Sequence, residues 1–336
     1  MVSKDRLVIP TLSWEPKDYT DFGYNQHAGA TQITVHDNGS AQIALYAAAT
    51  PYTASFNHTT GQWDVADVAW WGHGVPEILW AGDGVFLAKI TGLANIIASF
   101  DGITWHNAGY CVDAFNAMTT GAYDVVAGCG IVSWWYYQTP LYHSFDDLEE
   151  RTEWLILGAD GTSVPIFQYL TAHKGLFVGV VGGDKAIATA SGATPGVWTT
   201  TIPEDPQETG YMFLRSIHGK LFVMKRVYDG SVFHVNLCVL NDSATQVTET
   251  NLSHVGNLAN NNIPNPQNIV WMDEWQAYAL FTEEMLYVSK DGLHWEGQEQ
   301  PGLSVVSGDT FRGAMYAPDQ GFYIAASGVV HFAPYA

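Results

Sequence analysis

Basic residues are scarce in this sequence. Its 336 residues include 13 lysines and arginines against 34 aspartates and glutamates, a formal net charge of −21, although charged residues make up only 14% of the chain. Binding phosphates needs a basic face that releases counterions, so no nucleic-acid partner is expected, and anionic lipid surfaces are disfavoured for the same reason. The charge is read as a means of solubility, with a basic partner surface or cation binding as the alternatives. Cysteine is almost absent. Cys111, Cys129 and Cys238 form neither a CxxC pair nor an even set, which points to buried thiols and away from a zinc site or disulfide framework. No apolar run is long enough for a membrane span, and the start "MVSKDRLVIPTLSW" has no signal-peptide core; membrane insertion and classical secretion are therefore not expected.

Catalytic signatures are missing too. There is no Gly-x-Ser-x-Gly elbow, no Walker loop and no His-Glu-x-x-His helix, so hydrolase, phosphoryl-transfer and metalloprotease readings have no motif behind them. The 12 histidines are scattered without metal-ligand spacing. The stretches "HDNGS" at 36–40 and "YDGS" at 228–231 offer oxygen ligands without calcium-loop spacing and read as turns. Neither a metal nor a cofactor is expected. A glycosidase needs two facing carboxylates, and the adjacent pairs Glu283-Glu284, Asp146-Asp147 and Glu149-Glu150 read as solvated turns.

What the sequence does have is glycine (33), tryptophan (13) and tyrosine (17), with few runs of Glu, Lys, Leu and Ala. That composition favours short strands joined by tight turns. A tryptophan recurs after a turn-like stretch at Trp14, Trp63, Trp105, Trp154, Trp198 and Trp295, at intervals of 49, 42, 49, 44 and 97 residues. The last interval holds two units, the missing turn being Asn241-Asp242-Ser243, with no tryptophan after it. Hydrophobic stretches beside glycine accompany these turns, as in "GDGVFLAKI", "KGLFVGVV", "GKLFVMKRV", "QAYALF" and "QGFYIAAS". Each unit then has about four strands.

Four-stranded units of this length point to a β-propeller. The expectation is one all-β domain over residues 1–336, made of about seven repeats of about 48 residues, with six blades as the alternative. The C-terminal unit supplies three strands, so the N-terminal "RLVIPTLSW" is expected to complete its blade and close the ring.

Two of the turns are well formed: Ser99, Asp101, Gly102, Thr104 and Trp105, and again Ser289, Asp291, Gly292 and Trp295. They resemble the Asp-box of bacterial neuraminidase-like propellers, with one residue fewer between Asp and Gly. The resemblance implies scaffolding: such boxes lie between the third and fourth strands, on the face away from the ligand site. Locally, glycine tolerates positive φ and the carboxylate can accept turn N–H groups. Sialidase activity is not expected, because none of Arg6, Arg151, Arg215, Arg226 and Arg312 stands in the usual N-terminal arginine motif of that family.

Function is therefore sought on the opposite face. The segment "CGIVSWWYYQTPLY" carries Trp134, Trp135, Tyr136 and Tyr137, which cannot all point inward from an alternating strand. Trp70 and Trp71 in a linker, and the turn Tyr228-Asp229, join them as candidate ligand-binding residues. Aromatic planes beside polar groups suit sugar rings and protein interfaces, and they also suit a plug for the central channel. In style the repeats resemble tailed-bacteriophage virion propellers. That resemblance implies a non-enzymatic virion protein of tail, neck or head, made in the host cytoplasm. Its expected partners are other virion proteins and a host-surface glycan. A purely structural decoration module and a glycan-cleaving enzyme are the alternatives.

Overall fold

The computed structural model describes residues 9–17, 28–35, 41–47, 50–57, 60, 62–67, 76–82, 85–90, 95–110, 120–124, 126–133, 142–144, 155–156, 165, 167–181, 183, 185–204, 210–228, 230–255, 266–282, 285–301, 311–317, 320–326 and 329–334. In chain order the strands are β1 (Glu15–Lys17), β2 (Ala28–Val35), β3 (Ala41–Ala47), β4 (Thr50–Asn57), β5 (Gln62–Asp67), β6 (Pro76–Gly82), β7 (Val85–Ile90), β8 (Asn95–Ser99), β9 (His106–Tyr110), β10 (Thr120–Asp124), β11 (Cys129–Ser133), β12 (Tyr142–Ser144), β13 (Leu155–Ile156) and β14 (Phe167–His173). They continue with β15 (Leu176–Val181), β16 (Ala186–Ser191), β17 (Thr199–Ile202), β18 (Gly210–Ile217), β19 (Lys220–Tyr228), β20 (Phe233–Leu240), β21 (Val247–Val255), β22 (Ile269–Met272), β23 (Ala277–Phe281), β24 (Met285–Ser289), β25 (Glu296–Glu299), β26 (Phe311–Ala317), β27 (Gly321–Ala326) and β28 (Val329–Pro334).

These strands form seven four-stranded sheets among the described residues. Six are simple meanders of consecutive strands, β2–β5, β6–β9, β10–β13, β14–β17, β18–β21 and β22–β25. The seventh has the order β1-β28-β27-β26. The first strand of each sheet lies against the first strand of the next, β2 beside β6, β6 beside β10, and so on to β22 beside β26, which in turn lies against β2. This is the all-β propeller arrangement that the repeat predicts.

The N-terminal strand differs from its expected position. It is Glu15–Lys17, pairing antiparallel with β28 through Glu15 and Phe332. Residues 9–14 of the expected "RLVIPTLSW" strand precede it without regular structure, and residues 1–8 lie outside the described set. Leu12 and Pro10 instead meet Gln300: the Leu12 N–H donates to its Oε1 and its Nε2 donates to the Pro10 carbonyl. Proline at 10 and 16 explains the short strand, since each removes a ladder donor.

Burial falls from the inner strands outward. Strands β10, β11 and β23 are buried at every residue, whereas the outer β17 and β25, "TTTI" and "EGQE", are exposed or half-buried throughout. Inner strands have sheets packed on both faces and so read as continuous apolar runs; outer edges carry polar residues that discourage further pairing. The glycine-flanked apolar stretches are the second strands β7, β15, β19, β23 and β27. At one of these, Gly179, a Cβ would come within 2.0 Å of the Phe167 ring, so only glycine admits that ring.

The recurring tryptophans wedge between sheets. Trp14 meets Phe281 edge-on at 5.8 Å, Trp63 meets Tyr323 at 5.3 Å and Trp295 meets Phe222 at 6.3 Å, in each case an aromatic from the second strand of the preceding sheet. Burying such a ring stabilises by about 1.5–3 kcal/mol, with a further ~0.5–1.5 kcal/mol from edge-to-face geometry. At these three positions the tryptophan is thus a joint between neighbouring sheets, whereas Trp198 meets Phe167 of its own sheet at 4.2 Å.

Candidate functional site

In each meander the first-to-second and third-to-fourth strand turns leave one end of the sheet, and the second-to-third loops and sheet-to-sheet links leave the other. The two faces differ in chemistry.

The Ser-x-Asp-Gly-x-x-Trp stretches are third-to-fourth turns, joining β8 to β9 and β24 to β25. Asp101 Oδ1 accepts the Ile103 and Thr104 N–H groups at 2.8 and 2.6 Å, and the Ser99 hydroxyl at 3.0 Å. Ser99 Oγ in turn accepts the Gly102 N–H at 2.7 Å, and the Thr104 hydroxyl donates to Asp101 Oδ2. The second turn repeats this with Asp291, Ser289, Gly292, Leu293 and His294. Here His294 Nδ1 lies 2.7 Å from Asp291 Oδ2, in the place of the Thr104 hydroxyl.

Gly102 and Gly292 have φ of +76° and +73°, where L side chains are strained. Burial alone would raise each aspartate's pKa, but these donors outweigh it and hold both carboxyls below the usual range. The buried Trp295 indole donates to the Gly292 carbonyl at 3.1 Å. At the same position of the neighbouring sheet, between β20 and β21, Asn241 Oδ1 accepts the Thr245 and Gln246 N–H groups. An amide oxygen there replaces the carboxylate.

The turn face also joins sheets by polar contacts. His173, 1% exposed, places Nδ1 2.9 Å from Ser216 Oγ and Nε2 3.4 Å from Asp242 Oδ1, and Lys174 pairs with Asp242 at 2.8 Å. Burial lowers the His173 pKa, Asp242 opposes that, and Lys174 adds to it. The residue types are those of an acyl-transfer triad. The nearby groove of about 530 Å³, however, is lined by Asp242, Lys220 and Asn241, not by Ser216 or His173. What the cluster does geometrically is tie β14 to β18 and to the β20–β21 turn. Sequence reasoning missed it, because 43 and 69 residues separate its members.

On the opposite face the strongest feature is the end of the β19–β20 hairpin. Register pairs Tyr228 with Phe233 and Arg226 with Val235, and alternation puts all four on the side facing the β22–β25 sheet, with Phe222 and Leu237 deeper in the same stack. Tyr228 and Phe233 are 36% and 38% exposed, and their centroids lie 4.9 Å apart at 43°. Val232 beside them is 40% exposed. The Arg226 guanidinium lies over Phe233, 5.3 Å from its centroid. Its Nε is buried without a hydrogen-bond partner, and no carboxylate pairs with it among the described residues. The preceding Lys225 points to the other side and is paired with Glu249 at 3.0 Å.

Of the six exposed large apolar residues among those described, Phe100, Val126 and Val197 occur singly on separate turns of the turn face, while Tyr228, Val232 and Phe233 cluster at one hairpin end. Scattered singles need no explanation, but a contiguous patch does. Tyr228 is thus placed on the expected face. Its proposed companions Trp70, Trp71, Trp134, Trp135, Tyr136, Tyr137 and Asp229 lie outside the described residues, as do the pairs Glu283-Glu284, Asp146-Asp147 and Glu149-Glu150. Segments 68–75 and 134–141 connect β5 to β6 and β11 to β12, so their flanking strand ends belong to this same face. Sequence reasoning missed Arg226, Val232 and Phe233 as members; the aromatics flanking Gly230 were the available signal.

Cys129 and Cys238 are buried thiols, both pushed up to about 12 by burial first and a nearby carboxylate second. No cluster of three His, Cys, Asp or Glu suited to a metal occurs among the described residues. No described helix is long and apolar enough to cross a membrane.

No protein-family model matches the chain, and no curated protein matches it either. Solved structures do. YCF48 bound to a D1 peptide aligns with a TM-score of 0.56 at 12% identity, over 98% of this chain and 99% of that one. The extracellular domain of a putative one-component system from B. thetaiotaomicron gives 0.58 at 11%, over 98% of this chain and 44% of that one. An oligogalacturonate lyase from Vibrio parahaemolyticus gives 0.55 at 10%, over 97% and 98%. At these identities the likeness shows the fold alone. The protein is of the β-propeller class, and its function has to be argued from its own surface.

Proposed function

We propose that this protein is a non-enzymatic binding propeller that holds a glycan on the face opposite its Ser-x-Asp-Gly turns and contributes to attachment at a host cell surface. In this reading each of the seven sheets is one blade, and β1, as the outer strand of the last, closes the ring between the two ends of the chain. The observation that carries the binding reading is the exposed Tyr228–Phe233 ring pair, presented with Val232 at one hairpin end. Two adjacent ring faces with a phenol at the rim suit the apolar C–H face and hydroxyl edge of a pyranose. Placement in a bacteriophage tail, neck or head rests on the style of the repeats.

The test is a glycan array and a cell-adsorption assay on the full chain, with the double variants Tyr228→Ala/Phe233→Ala and Trp134→Ala/Trp135→Ala. Loss of glycan binding in either folded double variant supports the reading. Unchanged binding and adsorption in both would remove this face from the account. Burial of the same residues within an assembled particle, with no glycan bound, would favour the decoration module instead.

A further inference from the structure

The Tyr228–Phe233 surface contains a charge that the ring pair alone does not explain. The chain has only 13 basic residues against 34 acidic ones, so carboxylates are plentiful. Among the described basic residues Lys17, Lys174, Lys185 and Lys225 each hold a carboxylate partner, and Arg215, like Arg226, has a buried Nε without a hydrogen-bond partner; what sets Arg226 apart is its place over the exposed Phe233 ring. Arg226, half-buried with an unpartnered Nε, holds none among the described residues and lies against Phe233. A guanidinium presents five donors in a planar fork that fits a carboxylate two-handed.

We infer that this surface takes an acidic sugar, a pyranose bearing a carboxylate such as a uronic acid, with Tyr228 and Phe233 against the ring and Arg226 on the carboxylate. The inference rests on the glycan reading above and specifies its ligand class. A carboxylated pyranose joins an apolar face and a planar anion in one rigid unit, matching ring pair and guanidinium side by side. An acidic peptide brings the carboxylate on a flexible arm without a flat face. The net charge of −21 repels anions at long range. Recognition therefore has to come from this local contact, and affinity depends on Arg226 far more than on overall charge.

The experiment measures calorimetric binding of mannuronate, glucuronate and galacturonate oligomers, each beside its neutral hexose parent, together with poly-glutamate. The proteins are the full chain, Arg226→Gln, Arg226→Lys and Tyr228→Ala/Phe233→Ala, with thermal unfolding checked for each. At least one uronate is expected to bind tenfold or more tightly than its neutral parent. Arg226→Gln should abolish that preference, Arg226→Lys should restore part of it, and the ring variant should lose both ligands. If neutral parents bind as well as uronates and Arg226→Gln changes nothing, the acidic-sugar inference falls while the glycan reading stands. Binding of no sugar by the full chain overturns both. Poly-glutamate binding equal to the best uronate replaces the sugar with an acidic peptide.

Discussion

The turn face and the hairpin face of this propeller use similar residues for opposite ends. At the Asp291 turn the carboxylate accepts two backbone N–H groups and a hydroxyl, and Asn251 of the neighbouring sheet bonds both the Trp295 N–H and its carbonyl. At the β19–β20 end, rings stand half in solvent and the buried Arg226 Nε has no hydrogen-bond partner among the described residues. Saturated polar groups with buried indoles hold a scaffold together. Exposed rings beside a guanidinium are the feature on which the proposed binding surface rests.

The comparison breaks most readily at Trp295. Trp295→Ala removes a buried ring packed on Phe222 and should cost about 3–5 kcal/mol of stability, read by denaturant unfolding. A cost below ~1 kcal/mol would mean that the turn face is not the scaffold.

Asp291→Asn should cost about 1 kcal/mol at neutral pH, a modest figure because the carboxylate is half-exposed. Its sign with pH follows from the depressed pKa. The stabilisation is full above the unfolded value near ~3.9 and is lost as pH falls through the folded value. The acid limb of the wild-type stability curve should therefore be steeper than that of Asp291→Asn, and parallel limbs would refute the assignment.

His173→Gln probes the joint between sheets on the same face. The folded His173 pKa is lowered by burial, so its contribution is complete above about 6.5 and lost as pH falls below that. His331 shifts in the same direction, so the informative quantity is the difference between wild type and variant. That difference should lie within about 1 kcal/mol and shrink between neutral pH and about pH 5.

The smallest stability effect belongs to the hairpin face. Tyr228→Ala should change unfolding free energy by no more than about 0.5 kcal/mol, while glycan binding is lost. A destabilisation matching that of Trp295→Ala would turn the ring pair into another piece of scaffold.

Much of this was legible in the sequence. Trp14, Trp63 and Trp295 fall at about whole multiples of one sheet's length because each indole fills the same junction with an aromatic of the preceding sheet. Asp-Gly at 101–102 and 291–292 announced its turn, since only those residue types combine a carboxylate acceptor with positive φ. Asn241 could be matched to that turn because its amide oxygen does the same work. The binding candidates were less legible. Tyr228 was named for its turn, but nothing local shows that strand register returns Phe233 to its side or that Arg226 lies across that ring.

By itself the sequence determined the periodicity, the strand-rich chemistry and the turn face, because those follow from residue type at short range. Only the tertiary structure decided which side chains meet: Tyr228 with Phe233, Arg226 with no carboxylate among the described residues, His173 with Ser216 and Asp242. Those encounters depend on register and on packing between sheets, which link positions that no local pattern connects.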